Sequence, residues 1–468
     1  MTALDADATA PTTPRPDLEQ LHDSATAIAD QVLQHLDSYL LHLESTVQAA
    51  GGTVHWARDA AEADRLALDL VQRAGATEIV ETGSALTAEI GLDNALATAG
   101  IVTYTIDPTR ERRGVTAAAE PQPRAHSLTA KVGITGANFL VAESGTVVVV
   151  ESDGSGRMCL TLPEILICVA GVEKIVPTWR DLEVFLELPS DSAAGDRMPP
   201  YVSTWSGITA GDGPREFHLV LVDNGRILAL ARASGRKALR RRRSGVQAAM
   251  TGRDAILDLA RRARPDLPGG RRNVAAPRDY LRHAPGISNG DRPAVLALFA
   301  ERSKHCGAQV YRVPGSAVPE AISAALTLSG ARTVVLPEGV PASWPAEWSR
   351  TPGNRVLSDE PQLTHPELAD IDAVITTCAA AIADSATVVL DGGEGQGRRA
   401  PTLIPDCHIC VVHAEQVASA IPEVIAVLDP GRPLTWFSGP PTTADSKGIR
   451  VPGGHGPRRL VLILVESE

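Results

Sequence analysis

The sequence contains the same residue pattern twice, about 240 positions apart, and this repeat limits the possible folds more than any other feature. Each copy holds an acidic turn, a valine-rich run, a glycine-rich turn, an arginine, a Pro-acid pair and an Ile-Cys-Val. The copies run from Val141 to Val169 and from Ile382 to Val411. In both, the proline stands six positions after the arginine and the cysteine five after the proline. So long a period indicates two homologous domains in tandem and excludes a solenoid.

Both copies alternate segments of strand and helix character. Apolar residues spaced by three or four from Leu18 predict a long amphipathic helix that ends at Gly51-Gly52. Further predicted segments are strands at 53–56, 77–80, 217–222, 309–313, 333–336 and 460–465, and helices at 60–73, 295–305 and 319–328. Because such alternation is typical of βαβ units, the sequence predicts an α/β fold: an open, mostly parallel sheet covered by helices on both faces, built twice.

Composition excludes several classes of protein. Aromatic residues are only 3% of the chain against 44% hydrophobic residues, so small aliphatic side chains must fill the cores. The net charge of −12 argues against a nucleic-acid-binding protein. One stretch, 232–272, is nevertheless basic, with thirteen Arg and Lys against three Asp. It lacks interleaved aromatic residues, so we expect a solvated linker that touches the acidic domains.

The start of the chain is rich in Asp, Thr, Pro and Ala and resembles neither a signal peptide nor a membrane anchor. No apolar run is long enough to span a bilayer. Six cysteines without a disulfide pattern are typical of a reduced, cytoplasmic protein. The predicted organisation is a disordered tail (1–16), a first domain (17–231), a basic linker (232–290) and a second domain (291–468).

Several motifs resemble the LUD domains of bacterial lactate-utilisation proteins. The first half is similar to the B component at AEIGLDNA (88–95), VGITGANF (132–139), ESGT (143–146) and DNG (223–225), and the second half to the C component at PDCHICV (405–411), SG (438–439) and HGPR (455–458). The resemblance implies a fusion of B-like and C-like parts, and a fold akin to the sugar-phosphate isomerase and CoA-transferase group. It also implies a small-molecule anion as ligand (a carboxylate, acyl-CoA or phosphate) and a lactate-oxidation protein as partner.

The chain departs from the B component where that protein normally carries a Cys-x2-Cys-x2-Cys-x3-Cys run. The matching positions here are Arg241, Ser244, Gln247 and Thr251. An iron–sulfur cluster needs thiolate ligands from a short loop, and this loop has none. We therefore expect no cluster, and no other cofactor or metal.

Glu143 is the candidate catalytic residue, because a carboxylate beside backbone N–H and hydroxyl donors can act as nucleophile or general base. Ser144, Gly145 and Thr146 would contribute to ligand binding. In CoA-transferase relatives a glutamate accepts the acyl group. The alternative is a structural carboxylate that accepts N–H groups of the turn, and the sequence does not choose between the two.

The second copy has Asp384, Ser385 and Thr387 at the matching positions, but Ala386 replaces the glycine. The shorter carboxylate, and an alanine where φ would be positive, put a working site there in doubt. The predicted pocket is therefore in the first copy, around Asn138, Glu143 and Thr146 with Arg157 as anion partner.

The remaining ligand-binding candidates each have an ordinary structural alternative. Gly83 and Ser84 follow a strand and could hold an anion, or Ser84 could be an N-cap. Thr135 and Asn138 stand among small residues, although Asn138 could simply be a buried, hydrogen-bonded side chain. Arg157 and Arg399 could clamp an anion or be solvated.

The second copy contains two histidines and a cysteine pair of interest. His455 lies in a Gly-His-Gly-Pro-Arg loop and is a candidate for chemistry. Cys407 and Cys410 have Cys-x2-Cys spacing but lie in an apolar strand without a second pair, so a zinc site is not expected. His408 is predicted to be half-buried at a strand end.

Together these features predict a LUD protein of lactate or related small organic acid metabolism, acting through a pocket at the Glu143 turn. Two alternatives stay open. One is a non-catalytic scaffold or ligand sensor. The other is an enzyme of the CoA-transferase-like group that handles an acyl-CoA or a sugar phosphate.

Overall fold

A computed structural model describes most of the chain, and every structural statement below concerns these residues. They are 17–106, 126–151, 153–188, 201–233, 250–264, 276–278, 280, 282–284, 286–287, 290–444, 450–452 and 455–466. None of the helices in these ranges is long and apolar enough to cross a membrane. The predicted tail (1–16), Arg241, Ser244 and Gln247 lie outside the described residues.

Thirteen α-helices occur in this part of the chain. They are α1 (Leu18–Ala49), α2 (Ala60–Arg73), α3 (Ala85–Ile90), α4 (Leu92–Thr98), α5 (Ser155–Thr161), α6 (Trp179–Glu187), α7 (Arg226–Ala233), α8 (Gly252–Ala263), α9 (Arg292–His305), α10 (Val318–Ser329), α11 (His365–Ala369), α12 (Arg399–Leu403) and α13 (Ile421–Ile425).

Each half has a parallel sheet of six strands. In the first half the strands are β1 (Thr53–Ala57), β2 (Glu78–Glu81), β3 (Val102–Thr105), β4 (Val132–Thr135), β7 (Ile165–Gly171) and β10 (Glu216–Val222), in the order β1-β10-β7-β4-β2-β3. In the second they are β11 (Gln309–Pro314), β12 (Thr333–Leu336), β13 (Arg355–Ser358), β14 (Ala373–Thr376), β17 (Cys407–His413) and β22 (Arg459–Glu466), in the order β11-β22-β17-β14-β12-β13. The two orders are equivalent, which confirms the tandem α/β fold.

A third sheet joins the halves. Its strands are β5 (Phe139–Val141), β6 (Thr146–Glu151), β8 (Ile175–Val176), β9 (Tyr201–Trp205), β15 (Ala380–Ile382), β16 (Thr387–Leu390), β18 (Val417–Ala418) and β19 (Thr435–Phe437), in the order β18-β15-β16-β19-β9-β6-β5-β8. At its centre β9 pairs antiparallel with β19, with Ser203 opposite Thr435. The sequence did not predict this sheet. The valine-rich runs belong to it, so the halves share a continuous backbone ladder. A separate hairpin consists of β20 (Thr442–Ala444) and β21 (Arg450–Pro452).

Burial follows the two periodicities of the sequence. All seven residues of β7 are buried, because helices and the third sheet cover both faces of the parallel sheet. Helix α1 buries one stripe, including Leu21, Ile28, Leu36 and Leu43, against the first core. It ends at Gly51, whose φ of 87° a glycine adopts without strain, as the sequence predicts.

Part of the predicted basic linker is packed into the first half. Helix α8 buries Ile256 and Leu257 in the first core, and Thr251 accepts a hydrogen bond at its N-terminus. Its arginines pair with acids of α1: Arg253 with Glu44 at 2.8 Å, and Arg261 with Asp37 at 3.1 Å. The expected contact with acidic residues is therefore present. These residues form a docked helix, however, and not a solvated linker.

Candidate functional site

The acidic turns of the two copies are equivalent in structure. Glu143 follows β5 and donates its backbone N–H to the carbonyl of Pro177 at 3.1 Å, and Asp384 follows β15 and donates to Ser419 at the same distance. Gly145 has a φ of 71° and Ala386 a φ of 55°. The alanine therefore adopts the left-handed turn. The surrounding ladder imposes this conformation on the alanine, although a residue with a Cβ disfavours it.

The Glu143 carboxylate makes a structural contact. It is exposed, and its Oε2 accepts from the backbone N–H of Trp179, the first residue of α6, at 2.8 Å. Ser144 and Thr146 share a hydrogen bond at 2.6 Å, and the Thr146 hydroxyl donates to the carbonyl of Pro430 at 3.0 Å. These contacts are those of the structural alternative for Glu143. A catalytic role for this residue stays a prediction.

The matching turn of the second copy has similar contacts. Asp384 pairs with Arg302 of α9 at 2.9 Å. The hydroxyls of Ser385 and Thr387 share a hydrogen bond at 2.7 Å, and Thr387 also contacts the Ser438 hydroxyl at 2.7 Å. Both acidic turns thus hold neighbouring elements in place.

The structure does not bring Glu143 and Arg157 together. The whole of β6 lies between them, and its six residues span about 16 Å at the rise of an extended strand. Asn138 lies towards the Arg157 end of β6, where its side-chain oxygen accepts from the N–H of Val150 at 2.8 Å. The predicted pocket around Asn138, Glu143, Thr146 and Arg157 is therefore split between the two ends of this strand.

Thr135 and Ser84 lie at the carboxyl edge of the first parallel sheet. The Thr135 and Thr82 hydroxyls are 2.9 Å apart, and a Cβ at Gly136 would overlap Ser84. This edge lies between β4 and β2, where the order of strands reverses, a usual position for ligands in open α/β sheets. Ser84 is also the N-cap of α3, so its ordinary structural role is present. Gly83 stands beside it in the same turn.

Arg157, on α5, is buried at the contact between the halves. Its side chain is 5% exposed, and its guanidinium lies 4.8 Å from the ring centre of Tyr201. Its Nε and Nη2 atoms have no hydrogen-bond acceptor among the described residues. Burial lowers the pKa of Arg157, and Tyr201 and Glu151 oppose that shift. Two buried N–H donor atoms without acceptors carry a desolvation cost, which an anionic ligand would offset.

Glu151 closes the loop that presents Arg157. Its carboxylate accepts from the backbone N–H groups of Gly156 and Arg157, and from the Ser155 hydroxyl at 3.2 Å. Burial, with a contribution from Asp153, raises its pKa to about 7, although the two backbone N–H groups favour the charged form. This carboxyl group can therefore exchange a proton near neutral pH beside Arg157.

Arg399 is the counterpart of Arg157 in the second half, and it has a carboxylate partner. Asp212 accepts from the Arg399 backbone N–H at 3.0 Å and from its Nε at 2.9 Å. The guanidinium lies 4.1 Å from the ring centre of Trp205, and the side chain is 6% exposed. Neither arginine is solvated, contrary to the ordinary alternative given for both.

Each arginine is covered by a loop of the opposite half. Asp212 belongs to the first half and reaches Arg399, whereas the loop of His455 belongs to the second half and reaches the Arg157 loop. The His455 N–H donates to the carbonyl of Asp153 at 2.7 Å. A Cβ at Gly213 would overlap Arg399, and one at Gly456 would overlap Arg157.

Asp212 and His455 are therefore equivalent residues, each directly before a Gly-Pro-Arg. Sequence reasoning missed Asp212 and Glu151. Alignment of the two Gly-Pro-Arg motifs would have paired Asp212 with His455, and Glu151 stands at the end of the valine-rich strand.

A cleft of about 730 Å³ adjoins the Arg399 region, a size typical of small-molecule sites. The first half contributes Thr209, Ala210, Gly211 and Asp212, and the second contributes Glu338, Gly339, Gln362, Asp391, Gly392, Gly393, Glu394, Gly397, Arg398, Arg432 and Pro433. Its two arginines are paired, Arg398 with Asp359 at 2.6 Å and Arg432 with Asp391 at 2.9 Å. Because its acids outnumber its arginines, this cleft favours an anion less than Arg157 does.

The cysteines do not form a metal site. All six are free thiols, and no group of three or more His, Cys, Asp or Glu among the described residues could hold a metal ion. Cys407 and Cys410 share β17 and the other four cysteines lie on different segments, an arrangement that does not provide the four grouped thiolates of a cubane cluster. His408 is fully buried and not half-buried, because β17 is an inner strand. Its Nε2 lies 2.7 Å from the Thr376 hydroxyl, and burial, with the charge of Arg157, lowers its pKa to about 3.

The fold and these sites define a tandem α/β protein whose halves exchange loops over two buried arginines. The LUD domain model matches residues 40–222 and 345–465, which is more than half of the chain. The protein therefore belongs to the LUD domain family, and the two matched segments are consistent with a fusion of B-like and C-like parts.

The chain is similar to proteins named for lactate utilization. Lactate utilization protein C of Deinococcus radiodurans is 46% identical over 178 residues, which cover 37% of this chain and 81% of that protein. The uncharacterized electron transport protein YkgF of Escherichia coli is 37% identical over 256 residues, covering 46% of this chain and 54% of that protein. Lactate utilization protein B of an Exiguobacterium species is 35% identical, covering 45% of this chain and 54% of that protein. The chain thus matches about half the length of the last two relatives.

A crystal structure of a DUF162 family protein from Deinococcus radiodurans is 42% identical to the part of the chain it matches. It covers 38% of this chain and 99% of that one, with a TM-score of 0.32.

Proposed function

We propose that this protein acts in the cytoplasm in the metabolism of lactate or a related small organic acid, and that it binds the carboxylate of that acid at Arg157. Relatives named lactate utilization protein B and C support the choice of metabolism. A lactate-oxidation protein is the proposed partner. The Glu143 turn, the pocket expected from the sequence, lies at the other end of β6, so the proposed site is at Arg157.

One observation carries the proposal: a carboxylate binds the Arg399 guanidinium, whereas the equivalent Arg157 has no acceptor at Nε and Nη2 among the described residues. Asp212 shows which chemical group such a site accepts. A guanidinium recognises carboxylates strongly because it presents several donors in one plane. The face of the Arg157 guanidinium lies against the ring of Tyr201, so the edge atoms Nε and Nη2 are the groups that would bind a planar anion.

Glu151 supports the same proposal. Its carboxyl group, with a pKa near 7, can hold a proton beside the bound acid. A 2-hydroxy acid presents a hydroxyl next to its carboxylate, and Glu151 is the group that we propose to contact it. Asn138, which contacts the Val150 end of β6, and Thr135, at the carboxyl edge of the parallel sheet, are further proposed ligand-binding residues.

A second candidate function is a ligand sensor or scaffold without catalysis. The observation that favours it is the structural contact of Glu143, whose carboxylate already accepts from the Trp179 N–H. A sensor needs only the arginine site. An enzyme of the CoA-transferase-like group would instead need Glu143 to react with an acyl group.

Isothermal titration of the full chain with sodium L-lactate tests the proposal. We expect the wild type to bind one equivalent, and Arg157→Met to weaken binding at least thirtyfold, because a charge-assisted contact is lost. Two further variants test the Glu143 turn: Glu143→Gln and its matched control Asp384→Asn. Unchanged binding in Arg157→Met, with loss in Glu143→Gln alone, would place the ligand at the acidic turn instead.

We also propose that the protein carries no iron–sulfur cluster. The loop that holds the four cysteines of the B component has arginine, serine, glutamine and threonine here. After anaerobic reconstitution we expect a colourless protein without bound iron or sulfide. Stoichiometric iron with absorbance near 400 nm would contradict this.

A further inference from the structure

We infer that the residue before each Gly-Pro-Arg decides which half of the protein binds an anion: Asp212 closes a latent second anion site at Arg399, and His455 keeps the site at Arg157 available. The part that concerns Arg157 rests on the proposed function. The latent site rests only on the geometry of Arg399 and Asp212.

The two loops occupy equivalent places over the two arginines. Gly213 and Gly456 each approach the Nη2 atom of the arginine so closely that a Cβ would overlap it. Asp212, one residue before Gly213, reaches Arg399 from this backbone position, and the Gly456 loop sets position 455 at the matching place over Arg157. Since the glycine fixes the approach of the backbone, the identity of this neighbouring residue is what differs between the two sites.

The charge of that residue decides whether a ligand can compete. Asp212 contacts both the backbone N–H and Nε of Arg399, so the arginine is neutralised within the protein. A tethered carboxylate acts at an effective concentration of order millimolar or higher, so a free carboxylate competes poorly with it. A histidine side chain carries no negative charge in either protonation state, so it does not neutralise Arg157 as Asp212 neutralises Arg399.

The latent site would open into the cleft of about 730 Å³, because Asp212 itself lines that cleft. A monocarboxylate at Arg399 could then extend its remaining atoms towards Gln362 and the glycine-rich loop at 391–397. The ligand class of both sites is therefore a small carboxylate, and the second site has room for a longer one.

Exchange of the two residues tests the inference by isothermal titration with sodium L-lactate and sodium acetate. In His455→Asp we expect the dissociation constant of the wild-type site to rise at least tenfold, because the new carboxylate pairs with Arg157. In Asp212→His we expect a second binding equivalent per chain. The double variant Asp212→His/His455→Asp should bind one equivalent of ligand. Adding Arg399→Met to this variant should abolish that binding, whereas adding Arg157→Met should not.

Urea unfolding of His455→Asp gives a readout without ligand. A carboxylate that pairs with Arg157 should lower the unfolding equilibrium constant at least fivefold, whereas His455→Asn, the uncharged control, should not lower it. This measurement decides the question if Asp212→His does not fold.

The outcomes separate the inference from the proposed function. If the wild type binds neither probe but Asp212→His binds one equivalent, the proposed function fails and the latent site stands. Suppose that the wild type binds L-lactate and that His455→Asp folds. If the dissociation constant of this variant is within threefold of the wild-type value, and the variant is no more stable than the wild type in urea, the inference is overturned. Folded Asp212→His without a second equivalent overturns the latent site.

Discussion

The Arg157 and Arg399 sites have the same position in the repeat, the same burial and an aromatic ring beside the guanidinium, but they differ in partner. Arg399 has a carboxylate from the opposite half, whereas Nε and Nη2 of Arg157 have no acceptor among the described residues. The two sites therefore share a scaffold and differ in the residue that the crossing loop places before its Gly-Pro-Arg, Asp212 in one and His455 in the other. A repeat can thus hold one internally satisfied site and one that is able to bind a ligand.

Removal of the Asp212 carboxylate should have the largest effect on stability. Asp212→Ala leaves Arg399 buried and charged without its partner, and we expect a loss of about 3–5 kcal/mol in the free energy of unfolding. Arg157→Met is the matched comparison and should change stability by no more than about 1 kcal/mol, since that guanidinium lacks two acceptors. Urea unfolding followed by circular dichroism measures both. Equal losses in the two variants would remove the contrast between the sites.

Glu151 should make stability depend on pH in the first half. The pKa of Glu151 is about 7 in the folded protein, above the ordinary value of 4.5, so folding favours the protonated carboxyl group. The stability that protonated Glu151 contributes is therefore fully present below about pH 4.5 and is lost as the pH rises through 7. Glu151→Gln cannot ionise. From pH 5 to pH 8 we expect the variant to gain about 2 kcal/mol relative to the wild type, a value reduced for partial exposure. The measurement is the urea midpoint of unfolding of wild type and Glu151→Gln at pH 5 and pH 8. An equal difference between the two proteins at both pH values would show that this carboxyl group titrates normally.

The Glu143 turn should behave as a structural contact of modest strength. Glu143→Ala removes the acceptor at the start of α6, and we expect a loss of about 1 kcal/mol, comparable to the loss of a helix cap. Asp384→Ala, which breaks the contact with Arg302, is the control in the second half. Thermal unfolding of both variants measures the effect. A much larger loss of ligand binding than of stability in Glu143→Ala would restore its predicted catalytic role.

The smallest effect is expected at the alanine of the second turn. Ala386 has a φ of 55°, which costs a residue with a Cβ about 1 kcal/mol, so Ala386→Gly should stabilise the protein by about 0.5–1 kcal/mol. In the first half Gly145→Ala should destabilise, because the new Cβ would contact the backbone of Val47 at 2.9 Å. Differential scanning calorimetry can resolve these opposite shifts in melting temperature. Stabilisation by both substitutions would indicate that the two turns differ in backbone conformation.

The sequence predicted the parallel sheets, the long first helix and the equivalence of the two acidic turns. These features follow from local spacing. The residues of the predicted site are spread along β6: Asn138 and Arg157 lie towards one end, whereas Glu143, Ser144 and Thr146 lie at the other. Residues a few positions apart along a strand look adjacent in sequence, although an extended backbone separates them by more than 3 Å for every residue.

The sequence by itself determined the tandem α/β architecture, because periodic burial and a repeated register depend on neighbouring residues. Its motifs separately carried the resemblance to LUD domains. Only the tertiary structure decided which arginine is satisfied. Asp212 and Arg399 are 187 residues apart and belong to different halves, and they meet because the shared sheet brings the two crossing loops over the opposite sites. Such a pairing depends on how whole domains pack, and no local pattern in the chain specifies it.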